Sequence, residues 1–516
     1  MLQNPLVTYS IMPPFDRVIN DSIHESISLP AYCFNIIDTP EFQRLRDIKQ
    51  LSTGVFAFPC ATHTRFEHSI GTAFLSRQWA QKLAIGNPNL YDGETYHQIS
   101  LITVAGLVHD LGHACFSHSF ENLFLKRIRP DLHWSHEDAS IKLFEHMVDK
   151  YQLTFYDELE YNKEARQQIQ SIINGDSYTD NGRISSGVHW TREIVANKQN
   201  GIDVDKFDYL LRDSRALGLS GTAFSTSRLL ETSTVINNRI AFHQKVQLDI
   251  HNLFTTRFRL FRQAYSHRVP KAVELMICDA FVSADPVLGI SAAVEDPEDF
   301  CRLTDSLLYT IEFSKDPALE EARTIVNNIR RRNLYPFVCD SLITNLQMPK
   351  LQAIDVSTHS DGKLTENDVI VSDFKLTYAP DGDNPFNHVM FTDREGVDMK
   401  TIPLETVTKM GPLSFYERHI QLFVKEAANV DAAGFALQKL LRSYGEKFVF
   451  EPRRSDPIRS SKPSSSDMGV GSPPSMHAGS RAMENYILRA SQSPPKKKVK
   501  KVKQAPVVLT GSNLFP

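Results

Sequence analysis

Three stretches of this chain combine histidine and aspartate in a way that could hold a metal ion. His109-Asp110 closes an apolar run (Ile99, Leu101, Ile102, Val104, Ala105, Leu107, Val108) and leads into Leu111-Gly112-His113 and Phe116-Ser117-His118. The run is apolar on nearly every face, which marks a buried helix. An imidazole and a carboxylate at its end need partners or a metal. Alone, the pair would read as a hydrogen-bonded core pair. Two further groups change that. His68 lies upstream in Arg65-Phe66-Glu67-His68, before residues of helical spacing (Ile70, Ala73, Phe74, Ala80, Leu83). Asp205 lies downstream, within the stretch Asn200 to Tyr209. Two imidazoles and two carboxylates suit iron, manganese or zinc, and they leave coordination positions for water or phosphate oxygens.

The elements that must position these groups are mostly helical. Ile36 to Glu41 reads as a helix start, with Pro40 in the first turn. Helical spacing covers 140–150, 302–313 and 318–331. Short strands are expected at 369–376 and 388–391, bounded by Asp, Gly and Pro, with a closing helix over 412–446. The expected class is mainly α with a small C-terminal α+β lobe. With 516 residues, two or more units are expected. They are an N-terminal segment 1–40, a helical catalytic region 41–345, the lobe 346–450 and a Ser/Pro/Gly-rich tail 451–516 that reads as disordered.

The six cysteines (Cys33, Cys60, Cys115, Cys278, Cys301, Cys339) form no close pairs. That argues against a zinc ribbon or a disulfide framework and for reduced thiols. No basic-then-apolar leader opens the chain and no run is long enough to span a bilayer, so no membrane partner is expected. The net charge of -4 is uneven: 451–516 carries twelve Lys/Arg against four Asp/Glu, or +8, leaving -12 on the rest. So acidic a body is not a general nucleic-acid binder. Residues 496–503, after Pro494-Pro495, resemble a basic nuclear-localisation signal. Ser493-Pro494 has the look of a proline-directed kinase site, where phosphate would oppose the lysines.

Longer motifs carry a resemblance. They are Thr64-Arg65-Phe66-Glu67-His68-Ser69, Leu107 to His113, Trp134-Ser135-His136-Glu137 and Asn200 to Tyr209. On them the chain resembles the HD phosphohydrolase superfamily and, within it, the eukaryotic SAM-and-HD-domain deoxynucleoside triphosphate triphosphohydrolases. The likeness runs from about Arg17 to about Lys425, and no N-terminal sterile-alpha-motif domain is expected. The resemblance implies an HD-domain helical fold with its motif core at 65–213. It implies one divalent transition metal (Fe, Mn or Zn) on His68, His109, Asp110 and Asp205. It makes His136 a catalytic histidine and puts His113 and His118 at the α-phosphate or leaving oxygen, with Glu121 orienting one ring. Histidine titrates near working pH and can give a proton to a departing 5′ alkoxide. Arg65, Lys206 and Arg257 match phosphate-contacting positions; Gln50, Leu51, Tyr209, Asp213 and Tyr265 match sugar-contacting ones. Asp213 would accept from the 3′-hydroxyl, and a tyrosine ring against C2′ would exclude a 2′-hydroxyl. Magnesium is expected on the triphosphate. The implied reaction hydrolyses a dNTP to a deoxynucleoside and inorganic triphosphate and so controls dNTP pools.

The resemblance also implies activation by GTP and dNTPs that join subunits into a homotetramer. Matching positions are Arg17, Val18, Asn20, Asp38, Gln43, Arg46, Phe58, Lys245, His267, Arg268, Arg332 and Lys425. Asp38 could read the guanine N1 and N2 donors. Arg17 and Arg268 stand where the relatives have Lys, and His243 replaces an Arg. Asp249 replaces an Asn, placing an acid near an activator phosphate, and Phe261 replaces a His of the catalytic pocket. Two alternatives remain. An HD nuclease or phosphodiesterase acting on single-stranded nucleic acid would need a basic groove with stacking aromatics. A non-enzymatic nucleotide sensor need not keep an intact ligand set.

Overall fold

The buried run of the sequence is the helix Thr95–Val108, and it packs along the 21-residue helix Arg65–Ile85. A computed structural model describes residues 16–87, 95–154, 162–175, 179–180, 183–184, 189–219, 224–379, 382–393, 395–396 and 398–452. Apart from Glu451 and Pro452, the expected tail and its basic run lie outside the described residues, as do residues 1–15. Around these two helices stand His136–Tyr151, Lys163–Asn174, Val204–Ala216, Gln247–Leu260 and Arg268–Leu288. Ile102, Val104, Leu107, Trp79, Phe207 and Phe254 sit in one apolar core that they share.

Strands edge this helical body. Arg17–Asp21 and Glu25–Leu29 form an antiparallel hairpin at the N-terminal end. Ser233–Ile236 and Arg239–His243 form another; its turn residues Asn237 and Asn238 take left-handed φ of 49° and 63°. Such a turn matches the twist of the strands it joins. Met390–Thr392 adds in parallel to Arg239–His243 and then pairs with Met399–Lys400. A separate three-stranded antiparallel sheet places Tyr416–Val424 between Phe337–Ile343 and Val369–Thr377. The helices Val430–Ser443 and Ala353–Thr358 cover it, over a second apolar cluster that includes Val356, Ile420, Leu422, Leu437 and Leu441. Packing therefore groups 337–343 with the C-terminal sheet, and Phe386, Val389, Phe391 and Leu404 with the helical core.

Two expectations are corrected. The segment 412–446 is not a single helix: Tyr416–Val424 is the central strand of that sheet and the helix begins at Val430. Both edges of this strand are hydrogen-bonded and nearly all of it is buried, and its polar residues Arg418, His419 and Gln421 go inside because Asp373 and Asp340 of the neighbouring strands partner them, a pairing no local pattern shows. Likewise the helix expected over 302–313 begins only at Leu307, because Asp305 turns inward to accept from the amides of Lys49 and Phe116.

Candidate active site

Three helix starts deliver the chemistry. Thr64 and Glu67 form a capping box, which puts Arg65 and His68 in the first turn of Arg65–Ile85. Asp203 accepts from the Lys206 amide at 3.0 Å and starts the helix that carries Asp205, Lys206, Tyr209 and Asp213. Ser135 accepts from the Asp138 amide at 3.1 Å and starts the helix at His136. The positive ends of three helices thus converge on one place, which favours anions there. The loop after Val108 is locked to this frame. Arg44 donates to the carbonyls of His113 (2.9 Å) and Leu111 (2.5 Å), and the Ser140 hydroxyl donates to the His109 carbonyl at 2.6 Å. Gly112 permits the contact, since a Cβ there would lie 2.2 Å from the His136 carbonyl.

His68, His109, Asp110 and Asp205 meet at a point. His68 Nε2 lies 3.1 Å from Asp205 Oδ1 and 3.4 Å from Asp110 Oδ2. His109 Nε2 lies 3.5 Å from Asp205 Oδ1 and 3.6 Å from Asp110 Oδ1. Both Nε2 atoms are buried without a hydrogen-bond partner among the described residues. Their Nδ1 atoms are engaged on the far side, His68 with Asp208 Oδ2 at 2.8 Å and His109 with the Gly106 carbonyl at 2.9 Å. That arrangement keeps the proton on Nδ1 and aims the Nε2 lone pair inward, as a metal ligand requires. Electrostatics agree. Burial disfavours a charged His68, yet Asp205, Asp208 and Asp110 outweigh it and push its pKa up to about 10. His109 is raised against burial by Asp110 and Asp205. Surroundings that draw charge onto buried imidazoles will stabilise a cation. The donor set fits one divalent transition metal.

Beside this point His113, His118 and His136 bring their nitrogens together. The His113 and His136 rings stack at 4.1 Å, with His118 edge-on to both. Their proton affinities diverge. Burial, then Arg65 and His136, push His113 well down and His118 to about 4. Burial also opposes charge on His136, but Glu121 at 3.0 Å, Glu137 and Asp110 reverse this and raise it. Groups driven apart in this way sort into proton holder and proton acceptor. The raised affinity falls on His136, whose Nδ1 faces Glu121.

A cavity of about 630 Å³ opens over the site, lined by Arg65, Asp110, His113, His118, His136 and Asp205. Its walls also carry the expected phosphate cations Lys206 and Arg257 and all five expected sugar contacts: Gln50, Leu51, Tyr209, Asp213 and Tyr265. Arg65 pairs with Asp110, and Lys206 reaches Asp203 at 2.8 Å. Arg257 lies 4.5 Å from the Phe261 ring centroid. Phe261 in turn meets Tyr265 edge-on at 4.8 Å, so the departure at 261 adds an aromatic wall. Tyr265 donates to Asp213 Oδ2 at 2.5 Å, while His63 Nε2 holds Asp213 Oδ1 at 2.8 Å. Two π-helical turns, Phe120–Leu125 and Phe261–Tyr265, border the cavity. Sequence reasoning did not find Asp208, His63, Lys271 or Glu274. Asp208 had one signal: it follows Asp205 by three residues, one helical turn on.

The activator positions do not share this cavity, except Phe58, which lines it and meets His267 at 5.6 Å. Arg17 pairs with Asp38 at 3.1 Å at the surface, and Val18 on the same strand is 67% exposed; Asn20 is exposed there too. Arg46 donates to Gln43 at 2.8 Å. Arg332 donates to the Phe56 carbonyl at 2.8 Å, Arg268 lies over Phe337, and Lys425 is 3.7 Å from Asp279. His243 caps the turn that bears Lys245, accepting its amide at 3.0 Å. Asp249 is matched by Arg228 at 3.1 Å, so its charge is balanced within the chain. All six cysteines are free, and among the described residues no helix is long and apolar enough to cross a membrane.

Residues 65–212 match the HD domain. The chain is 38% identical over 447 residues to a deoxynucleoside triphosphate triphosphohydrolase SAMHD1 homolog of Dictyostelium discoideum, covering 85% of this chain and 84% of that one. It is 34% identical over 447 residues to deoxynucleoside triphosphate triphosphohydrolase SAMHD1 of Bos taurus (80% and 75% covered). The human protein of that name is 34% identical over 445 residues (80% and 70% covered).

Proposed function

The chain belongs to the family of HD-domain deoxynucleoside triphosphate triphosphohydrolases, and on that premise we propose that it hydrolyses a dNTP to a deoxynucleoside and inorganic triphosphate. The observation that carries this reading is the meeting of His68, His109, Asp110 and Asp205, with two orphaned Nε2 atoms, beneath a cavity walled by cations and tyrosines. These four residues would hold the divalent metal. When bound, it supplies Lewis-acid polarisation of a phosphoryl oxygen and acidifies water.

The chain's own residues do the rest. Arg65, Lys206 and Arg257 face the triphosphate and offset its charge, with magnesium arriving on the phosphates. Water oxygen bonds to the α-phosphorus as the bond from phosphorus to the 5′ oxygen breaks. His136, whose proton Glu121 favours, gives the departing 5′ oxygen its proton; of the water's two protons one stays on the new phosphate oxygen and the other returns to His136, while His113 and His118, whose charged forms burial disfavours, orient the α-phosphate. Tyr265, pinned on Asp213, and Tyr209 leave no space at C2′ for a hydroxyl, while the remaining lone pairs of Asp213 accept from the 3′-hydroxyl. Most of the rate comes from positioning and charge stabilisation.

Regulation by GTP and dNTPs through a homotetramer, on the surface positions from Arg17 to Lys425, is part of the same proposal. So is nuclear import through 496–503, which fails if deleting that run leaves nuclear fluorescence unchanged. The test of the chemistry is metal removal. Chelator-treated protein should release no triphosphate from dGTP with GTP present, and iron, manganese or zinc should restore release in the wild type but not in Asp205→Ala. Release by the metal-free protein would overturn the proposal.

A further inference from the structure

Asp208 is fully buried and does not itself line the cavity, yet it is the most heavily engaged carboxylate of the centre. Its Oδ2 accepts from His68 Nδ1 at 2.8 Å and from Arg212 Nε at 2.9 Å. Its Oδ1 accepts from Arg212 Nη2 at 2.9 Å and meets Nε2 of His24 at 2.7 Å. His24 comes from the far end of the chain, at the turn of the N-terminal hairpin, and its side chain is 8% exposed. That turn is clamped. Asp21 Oδ1 accepts from the amides of Ile23 and His24, both at 2.8 Å, and Asp21 Oδ2 accepts from Arg212 Nη1 at 2.9 Å. Arg215 donates to the Ser22 carbonyl. On the opposite side Gly71 makes room, since a Cβ there would stand 2.0 Å from Asp208 Oδ1.

We infer that His24 is a positioning residue of the metal centre: it holds the Asp208 carboxylate that in turn orients His68, which makes the N-terminal hairpin a working part of the site. The inference rests on the metal reading given above. A ligand imidazole binds through Nε2 only while Nδ1 keeps its proton and the ring plane is fixed. Asp208 does both for His68, and it can do so only while its own plane is fixed. Arg212 grips it through one edge, and His24 closes the remaining direction at Oδ1. Without His24 a buried oxygen loses a partner and the carboxylate can turn about its grip on Arg212. His68 then remains in place but is less well aimed. Loss of metal affinity is expected rather than loss of the site, and changes in such supporting groups typically weaken metal binding about 10–100-fold.

The experiment uses the full chain loaded with manganese or cobalt, with metal per chain and competition against a chelator as readouts and circular dichroism as a check on folding. Wild type should hold one metal per chain and His68→Ala none. His24→Ala should lose metal to the chelator at about 10–100-fold lower concentration. His24→Gln, whose amide nitrogen can reach Asp208, should recover most of that loss, and the shorter His24→Asn should not. Wild-type retention in His24→Ala, or equal retention in the Gln and Asn variants, overturns the inference while His68→Ala still loses its metal. Wild type without metal, or metal kept in His68→Ala, overturns the metal reading itself. If His24→Ala does not fold, the Gln and Asn pair decides alone.

Discussion

Replacing Glu121 by glutamine tests the assignment of the proton. The change removes a charge 3.0 Å from His136 Nδ1 and keeps the side chain's size. Burial by itself would lower the affinity of His136 for a proton; Glu121, with Glu137 and Asp110, raises it above its ordinary value of 6.5. A hydrogen bond to a charged partner contributes about 1.5–3 kcal/mol. At about 1.4 kcal/mol per unit this corresponds to about 1–2 pKa units. Glu137 remains, 3.3 Å from the same nitrogen and more exposed, and keeps the change near the lower figure. The sign follows from the role. An acid must be protonated to act, so activity is lost as pH rises through the pKa of His136, and a raised pKa carries the active form to higher pH. Glu121→Gln should therefore move the alkaline limb of kcat/KM to lower pH by about one unit, with little change on its acid side. Triphosphate release from dGTP, followed from about pH 5.5 to 9, reads this directly. An unmoved limb, or an equal fall at every pH, would refute His136 as the acid held by Glu121.

Tyr265→Ala should admit ribonucleoside triphosphates, and Tyr265→Phe, which loses only the bond to Asp213, should stay deoxy-selective; comparing kcat/KM for GTP and dGTP decides. Gly71→Ala forces a Cβ to within 2.0 Å of Asp208 Oδ1 and 2.7 Å of Arg212 Nη2. Overpacking of this kind costs about 1–3 kcal/mol, so denaturant unfolding should shift by that amount, with metal content falling beside it. Sedimentation should show a fourfold rise in mass when GTP plus dATP is added, and no change would remove the tetramer proposal.

What the sequence disclosed follows physical lines. The apolar run before His109 announced a buried helix, and every residue from Ile99 to Val108 of Thr95–Val108 is buried. The ligands sat in long motifs, and it was the resemblance those motifs carry, rather than any local spacing, that implied His68, His109, Asp110 and Asp205 would meet. The supporting groups were not legible. His24 and His63 stand alone in their segments, and their roles depend on partners 184 and 150 residues away that no local spacing encodes. Strand Tyr416–Val424 hid because its buried Arg418, His419 and Gln421 depend on Asp373 and Asp340 of distant strands. The hairpin at Asn237-Asn238 was legible in principle, since paired asparagines tolerate the left-handed turn.

Phosphorus NMR of dGTP turnover by the metal-loaded protein, in the presence of GTP, decides whether the whole triphosphate leaves in one step. The substrate's three phosphorus signals should be replaced by the two of inorganic triphosphate, with deoxyguanosine as co-product and no dGMP at any time. Appearance of dGMP with pyrophosphate, or of dGDP with phosphate, would contradict one-step loss.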